Sequence, residues 1–322
     1  MKRVLSGIQP SGRLHLGNYA GAIRQFIEMQ EDHEMYVFVA SYHALTSGRD
    51  PEKLREHTRQ VVVDYLAFGL DPEKTHLYLQ QDVPQVTELC WLLSCVCPKH
   101  MMDKQTTYKD KVAKGLPASI GLYIYPILQA ADILSVDPDV VPVGEDQRQH
   151  LEIARDLAGK FNHYYGEVFK IPDLLIREGA GVVPGVDGQK MSKSYDNTID
   201  PFQPEKKLRK RIMKIVTDST PVEDPKDPEA DTTFQIFTAL AGRDDPRTKD
   251  LEKRYREGGM GYGEAKQALF ELVMDHFGQA RQRREELLKN PDYVDQVLQQ
   301  GAAAAREKVL DVTTRARAAA GL

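Results

Sequence analysis

The stretch VLSGIQPSGRLHLGNYAGAI, Val4 to Ile23, decides how the rest of the chain is read. Val4, Leu5 and Ile8 form a short apolar run of the kind a buried strand carries. Gly7, Pro10 and Gly12 interrupt it. From about Asn18 the residues Tyr19, Ala22, Ile23, Phe26 and Ile27 recur at helical spacing. A strand turning tightly into a helix leaves free backbone N–H groups and a positive dipole end at the turn, where α/β folds bind phosphate. Gly17 would let a phosphate approach the main chain, and His15 and Asn18 can donate to its oxygens. Glycine-rich strand–helix turns also occur as plain structure, so this stretch alone leaves both readings open.

A second stretch, Asp187 to Ser194, reads DGQKMSKS. Lys190-Met191-Ser192-Lys193-Ser194 is the complete KMSKS loop of the class I aminoacyl-tRNA synthetases, and His15-Leu16-Gly17-Asn18 resembles their HIGH motif. The two stand in the order that the class uses. The resemblance implies ATP as a substrate, with Mg2+ on its pyrophosphate. It implies catalytic, phosphate-facing roles for His15, Asn18, Lys111, Lys190 and Lys193. The ATP site would draw on Gln9, Pro10, Ser11, Gly17 and Asn18, and on Lys190, Met191, Ser192, Lys193 and Ser194.

The middle of the chain narrows the resemblance. Tyr125-Pro126-Ile127-Leu128-Gln129-Ala130-Ala131-Asp132-Ile133-Leu134, followed by Val141-Pro142-Val143-Gly144-Glu145-Asp146-Gln147, resembles the bacterial tryptophanyl-tRNA synthetase family. So do Gly7 to Gly12 and the segment from Gln149 to Asn162, and the likeness covers essentially the whole length. Asp132 lies in an otherwise apolar helical segment, where a carboxylate is costly unless it finds a donor. A cap or an arginine would satisfy it; the resemblance implies instead the indole N–H of tryptophan. It also implies that Tyr125 and Gln147 hold the α-ammonium group, and that Gln129, Gly7, Val141 and Val143 line the pocket. Gly144, Glu145 and Asp146 would hold the ribose, and Val182 would offer backbone atoms to adenine. Asp146 equally suits the N-cap of the next helix. Lys111 resembles a lysine that reaches pyrophosphate, yet in the charged loop Lys104 to Lys114 it also reads as simply solvated. The implied partners are L-tryptophan, ATP, tRNA-Trp and a second copy of the chain, with no metal held by protein side chains.

Composition bounds these readings. The 322 residues, 41% hydrophobic, suffice for one large core or two domains. The net charge of −5 means that any nucleic-acid contact must use a local patch. The longest uncharged run, Gly115 to Ala131, contains Pro117 and Pro126 and is too short for a bilayer. MKRVLSGI lacks the apolar segment of a signal peptide, so a cytoplasmic protein is expected. Cys90, Cys95 and Cys97 fit no common ligand spacing and are expected as free, buried thiols.

Met35 to Leu45 reads as a buried parallel strand, Pro51 to Gly69 as a helix capped by Asp50, and His76 to Leu79 as the next strand. Val86 to Val96 reads as a helix, Asp139 to Val143 as a strand, and Asp146 to Phe161 as a further helix. This alternation predicts an α/β fold, a Rossmann-like parallel-sheet nucleotide-binding domain over 1–197. After it the pattern changes. Glu205 to Lys214, EKKLRKRIMK, is either a tRNA-facing or a merely solvated helix face. Thr220 to Asp231 reads as a loop. Phe234 onward reads as helical, with breaks at Gly258 to Gly263 and near Pro291. The Ala-rich last helix carries Arg306, Lys308, Arg315 and Arg317. A smaller all-helical tRNA-binding domain is therefore expected over 198–322, its last helix free to return onto the first domain. Rival readings are a tyrosyl-tRNA synthetase and a synthetase-like binding or regulatory paralogue. A nucleotidylyltransferase would explain the HIGH-like stretch but not KMSKS.

Overall fold

The N-terminal apolar run is strand β1 (Lys2–Ile8), the middle strand of a five-stranded sheet in a computed structural model. The structure describes residues 1–113, 115–144, 147–175 and 183–322, without the side chains of 106 and 107. β2 (His33–Val39), β3 (Thr75–Leu79), β4 (Val140–Pro142) and β5 (Asp173–Leu175) join β1 in the order β3-β2-β1-β4-β5, every pair parallel. Successive residues of a strand face opposite sides. Val4, Met35, Val37 and Val39 accordingly enter one apolar cluster, with Ile23, Phe26, Val61 and Leu66 from covering helices. Leu5, Tyr36 and Phe38 enter the other, with Ile127, Ala130, Leu134 and Leu151. The sheet is Rossmann-like and the rest of the described chain is mostly helical.

The sheet grows outward from β1 in both directions, which makes the β1–β4 seam its switch point and the natural place for a crevice. β1 meets β2 along seven register pairs but meets β4 only at Val4 and Val140. Beyond that pair the carboxyl ends of the two strands are free to diverge.

Three expectations change. The run from Met35 to Leu45 is not one strand: β2 stops at Val39 and Ser41–Ala44 is a helical turn. Apolar content alone cannot separate the two. Lys111 lies on a helix, Thr106–Ala113, rather than in a loop. Cys95 is exposed, and Cys90 and Cys97 are only partly buried; all three are free. The short strand β5 carried no sequence signal.

After the KMSKS segment come the helices Glu205–Ile212, Thr232–Ala241, Pro246–Glu257, Tyr262–His276, Gly278–Lys289 and Pro291–Ala320. The last of these lies along the edge strand β3. Its residues Val294 and Leu298 join one sheet-face cluster, and Ala302, Ala305 and Val309 the other. Gly301 permits the contact: a Cβ there would sit 2.0 Å from the Leu77 carbonyl oxygen. A strand edge that could pair with another chain is thereby covered.

Candidate active site

The crevice at the β1–β4 seam holds a cavity of about 580 Å³, a size typical for a small-molecule site. One wall is Gly7, Ile8 and Gln9 at the end of β1, the opposite wall Val141 to Gly144, and the helix Ile120–Leu134 closes a third side. That helix starts with Ser119, whose hydroxyl accepts the Leu122 N–H at 3.2 Å. It carries Tyr125, Gln129 and Asp132 into the cavity at spacings of four and three, one helical face.

Asp132 is 4% exposed. Burial raises its carboxyl pKa, opposed by hydrogen bonds and charge from His43 and a hydrogen bond from Gln80. His43 Nε2 lies 2.7 Å from Oδ2, and Gln80 Nε2 donates to both oxygens at 2.8 Å. Gln80 is fixed in turn, since its Oε1 accepts the Tyr42 N–H at 2.9 Å. The carboxylate is thus oriented from behind, and it still has lone pairs for a donor inside the cavity.

Nearby, the Tyr125 hydroxyl lies 2.7 Å from His150 Nε2, and Gln129 Nε2 donates to Gln147 Oε1 at 3.3 Å. The Lys111 ammonium sits 4.5 Å from the centroid of the Tyr125 ring, and burial lowers its pKa. Sequence reasoning thus finds ten of its expected site residues on this one cavity: Gly7, Gln9, Lys111, Tyr125, Gln129, Asp132, Val141, Val143, Gly144 and Gln147. Glu145, Asp146 and Val182 lie outside the described residues.

The other expected residues meet in a second cluster, at the start of the helix that follows β1. Met191 is buried; its Sδ accepts the Gly17 N–H at 3.3 Å, so the HIGH-like and KMSKS segments touch. Gly17 leaves little room, because a Cβ there would lie 3.1 Å from the His15 ring. His15 is buried, with Nδ1 unpartnered, and its pKa falls to about 4 through burial and the nearby Lys193 charge. Its backbone N–H is accepted by Asn18 Oδ1 at 3.2 Å. Lys193 Nζ donates to Ser11 Oγ at 3.2 Å and to the Gly12 carbonyl at 2.9 Å. Burial lowers its pKa to about 8, with Asp64 and Asp200 opposing. Pro10 is buried here, while Lys190 and Ser194 are exposed and Ser192 half-buried. The cluster offers a neutral imidazole and the Lys193 ammonium at a strand–helix turn, groups that a polyphosphate can use.

Four residues escaped the sequence reading: His43, Gln80, His150 and Asn197. His43 and Gln80 stand just past the carboxyl ends of β2 and β3, where α/β ligand sites form; His43 lies inside the run that reads as one strand, so only Gln80 carries that signal. His150 and Asn197 have none.

A family profile described as tRNA synthetases class I (W and Y) matches residues 1–278. The tryptophan–tRNA ligase of Fusobacterium nucleatum is 50% identical over 323 residues, covering 100% of this chain and 98% of that protein. The enzyme of the same name from Rhodopirellula baltica is 52% identical over 320 residues, 99% of each chain. The crystal structure of tryptophanyl-tRNA synthetase from Campylobacter jejuni, complexed with ADP and tryptophan, superposes with a TM-score of 0.92 at 48% identity. It covers 99% of this chain and 100% of its own.

Proposed function

The chain belongs to the class I tRNA synthetases for tryptophan and tyrosine, and we propose that it is the tryptophan-specific ligase. It activates L-tryptophan with ATP to tryptophanyl-adenylate and pyrophosphate, then transfers tryptophan to the 3′ end of tRNA-Trp. The observation that carries the amino-acid choice is Asp132, a buried acceptor on a cavity that Phe38, Ile133 and Val141 also line. An indole offers one N–H donor on a large apolar ring, which suits a buried acceptor beside apolar walls.

In the first step the tryptophan carboxylate attacks the α-phosphate in line, and the bond to the β-phosphate breaks. The protein supplies no nucleophile; it positions both substrates and neutralises charge on the phosphoryl oxygens. Lys111, Lys190 and Lys193 do the latter, with neutral His15 and the side-chain amide of Asn18. Magnesium would come with the nucleotide as MgATP and would add neutralising charge at the phosphates, with no protein side chain assigned to it. Tyr125 and Gln147 hold the α-ammonium group, leaving the substrate carboxylate turned toward ATP. Gly144, Glu145 and Asp146 hold the ribose.

For the second step we assign residues 1–197 to catalysis and 198–322 to tRNA binding, with the last helix returned onto the sheet. The ammonium groups of Lys206, Lys207 and Lys210 on the helix Glu205–Ile212 have no hydrogen-bond or ion-pair partner among the described residues, which suits phosphate contact. A homodimer fits the 69% exposure of Trp91 on the helix Gln85–Val96. No described helix is long and apolar enough to cross a membrane, and a cytoplasmic site of action suits a chain that must meet tRNA. The deciding experiment is ATP–pyrophosphate exchange with each amino acid, without tRNA. Exchange driven by tryptophan with MgATP is expected. Equal exchange with tyrosine would overturn the specificity, and silence with every amino acid would favour a regulatory paralogue.

A further inference from the structure

We propose that Asn197 is a positioning residue that holds Met191 against Gly17, and so fixes the distance between the two phosphate-facing segments. The proposal rests on the ATP-dependent reading above. Asn197 follows the KMSKS segment and is 1% exposed. Its Oδ1 accepts the Ser192 N–H at 2.7 Å, and its Nδ2 donates to the Lys190 carbonyl at 3.0 Å. Those two groups flank Met191 in the chain. The second N–H of the same amide donates to Asp187 Oδ1 at 2.7 Å, and Asp187 Oδ1 also accepts the Gln189 N–H at 3.1 Å.

One amide thus ties the turn of the hairpin to the side that carries Lys190 and leads to Lys193. Turning the amide over would set donor against donor at Ser192 and acceptor against acceptor at Lys190, so its orientation is fixed by its partners. The backbone joins in: the Asn197 carbonyl accepts the Val186 N–H at 2.9 Å, and Met191 N–H is accepted by Val183 at 2.9 Å. Gly185 makes the space, because a Cβ there would lie 2.3 Å from Asn197 Cγ. With the residues on either side of it held, Met191 presents its sulfur to the Gly17 N–H at the helix start. Lys193, two residues on, reaches Ser11 and Gly12 on the same loop. Asn197 touches no substrate. It acts through the position of Lys190, Met191 and Lys193.

The test uses Asn197→Asp, which keeps the shape and the acceptor for Ser192 but removes both donors and sets a carboxylate against Asp187. The double variant Asp187→Asn with Asn197→Asp returns the hydrogen bond between the two side chains with its direction reversed. Tryptophan-dependent exchange and the rate of tryptic cleavage after Lys190 and Lys193 are measured on the full chain. Asn197→Asp should lower kcat about 10–100-fold, the scale of a small misplacement of catalytic groups, leave KM for tryptophan within about twofold, and speed cleavage. The double variant should recover part of both. Unchanged kcat and cleavage would overturn the proposal. So would a uniform loss of ATP and tryptophan binding that tracks a lower Tm and is not rescued. Faster cleavage restored by the double variant, in a chain whose wild type shows no tryptophan-dependent exchange, would uphold the latch and overturn the functional reading instead.

Discussion

The two ends of the site are built on opposite plans. At the amino-acid end, Asp132, His43, Gln80 and Tyr42 satisfy one another inside the protein before any ligand arrives. At the nucleotide end, His15 Nδ1 has no partner, the Lys190 ammonium has none among the described residues, and Lys193 meets only a hydroxyl and a carbonyl. The difference follows from the ligands. An indole is read by shape and one hydrogen bond, so the pocket must be preformed and its acceptor aimed. A polyphosphate brings its own charge, and cations already neutralised by carboxylates would have little left to offer it. The partners that a polar group finds within the chain therefore indicate whether it builds the site or serves the ligand.

The strongest way to break this comparison is Lys193→Ala. If Lys193 waits for charge that develops at the phosphates, exchange kcat should fall roughly 10²–10³-fold, the loss of one preorganised donor, with a smaller rise in KM for ATP. A normal kcat with only a raised KM would make it a binding group. Next in size is Asp132. Phenylalanine would leave the carboxylate short of a donor, whereas apolar contacts alone separate close analogues only about 10–200-fold. Asp132→Ala should therefore lose most of the preference for tryptophan over phenylalanine in kcat/KM. Asp132→Asn keeps an oxygen for Gln80 and can offer its NH2 to the other tautomer of His43, so it should lose less. An Ala variant with the wild-type ratio would show that the indole is read elsewhere.

Acidity separates the ends as well. Lys193, with its pKa lowered to about 8, loses its proton as pH rises through that value. In the free enzyme kcat/KM for ATP should then fall on the alkaline side near pH 8. Bound phosphate favours the charged ammonium, so the same limb in kcat should lie at higher pH. His15, at about 4, stays neutral across the working range and should add no acid limb above about pH 5. Coincident alkaline limbs in the two profiles would remove Lys193 from the ATP site.

Much of this was legible in the sequence, and the limits have physical causes. β1 and the turn after it could be read because apolar period and glycine placement act locally. Asp132 stood out because a carboxylate in an apolar helix is costly. His43 and Gln80 did not stand out, because each is only a polar residue past a strand until the sheet brings the strand ends together. Asn197 was invisible for a further reason: its partners are mostly backbone groups, which leave no mark on neighbouring residue types. The basic residues were the least legible. Arg211, in the basic run, donates to the carbonyls of Asp196 and Thr198, and Arg209 to Gln267. The cations of the last helix are all engaged, Arg306 with the Asp82 carbonyl, Lys308 and Arg315 with Asp137, and Arg317 with Glu88.

That contrast carries the smallest expected effect, and it tests the same rule away from the cavity. The ammonium groups of Lys206, Lys207 and Lys210 have no partner among the described residues, so they should serve a ligand; the guanidinium groups of Arg306 and Arg315 have partners, so they should serve the fold. Changing two of the three lysines to Gln should flatten the salt dependence of tRNA binding by about two units of slope, one for each phosphate left without its cation. Exchange without tRNA should not change. Arg306→Gln should leave that slope alone and lower Tm by only about 1–2 °C, since an exposed interaction contributes little. The two measurements can be made on the same variants, salt series against melting curve. A flattened slope from Arg306→Gln, or an unchanged one from the lysine pair, would mean that partners within the chain do not predict which cations meet tRNA.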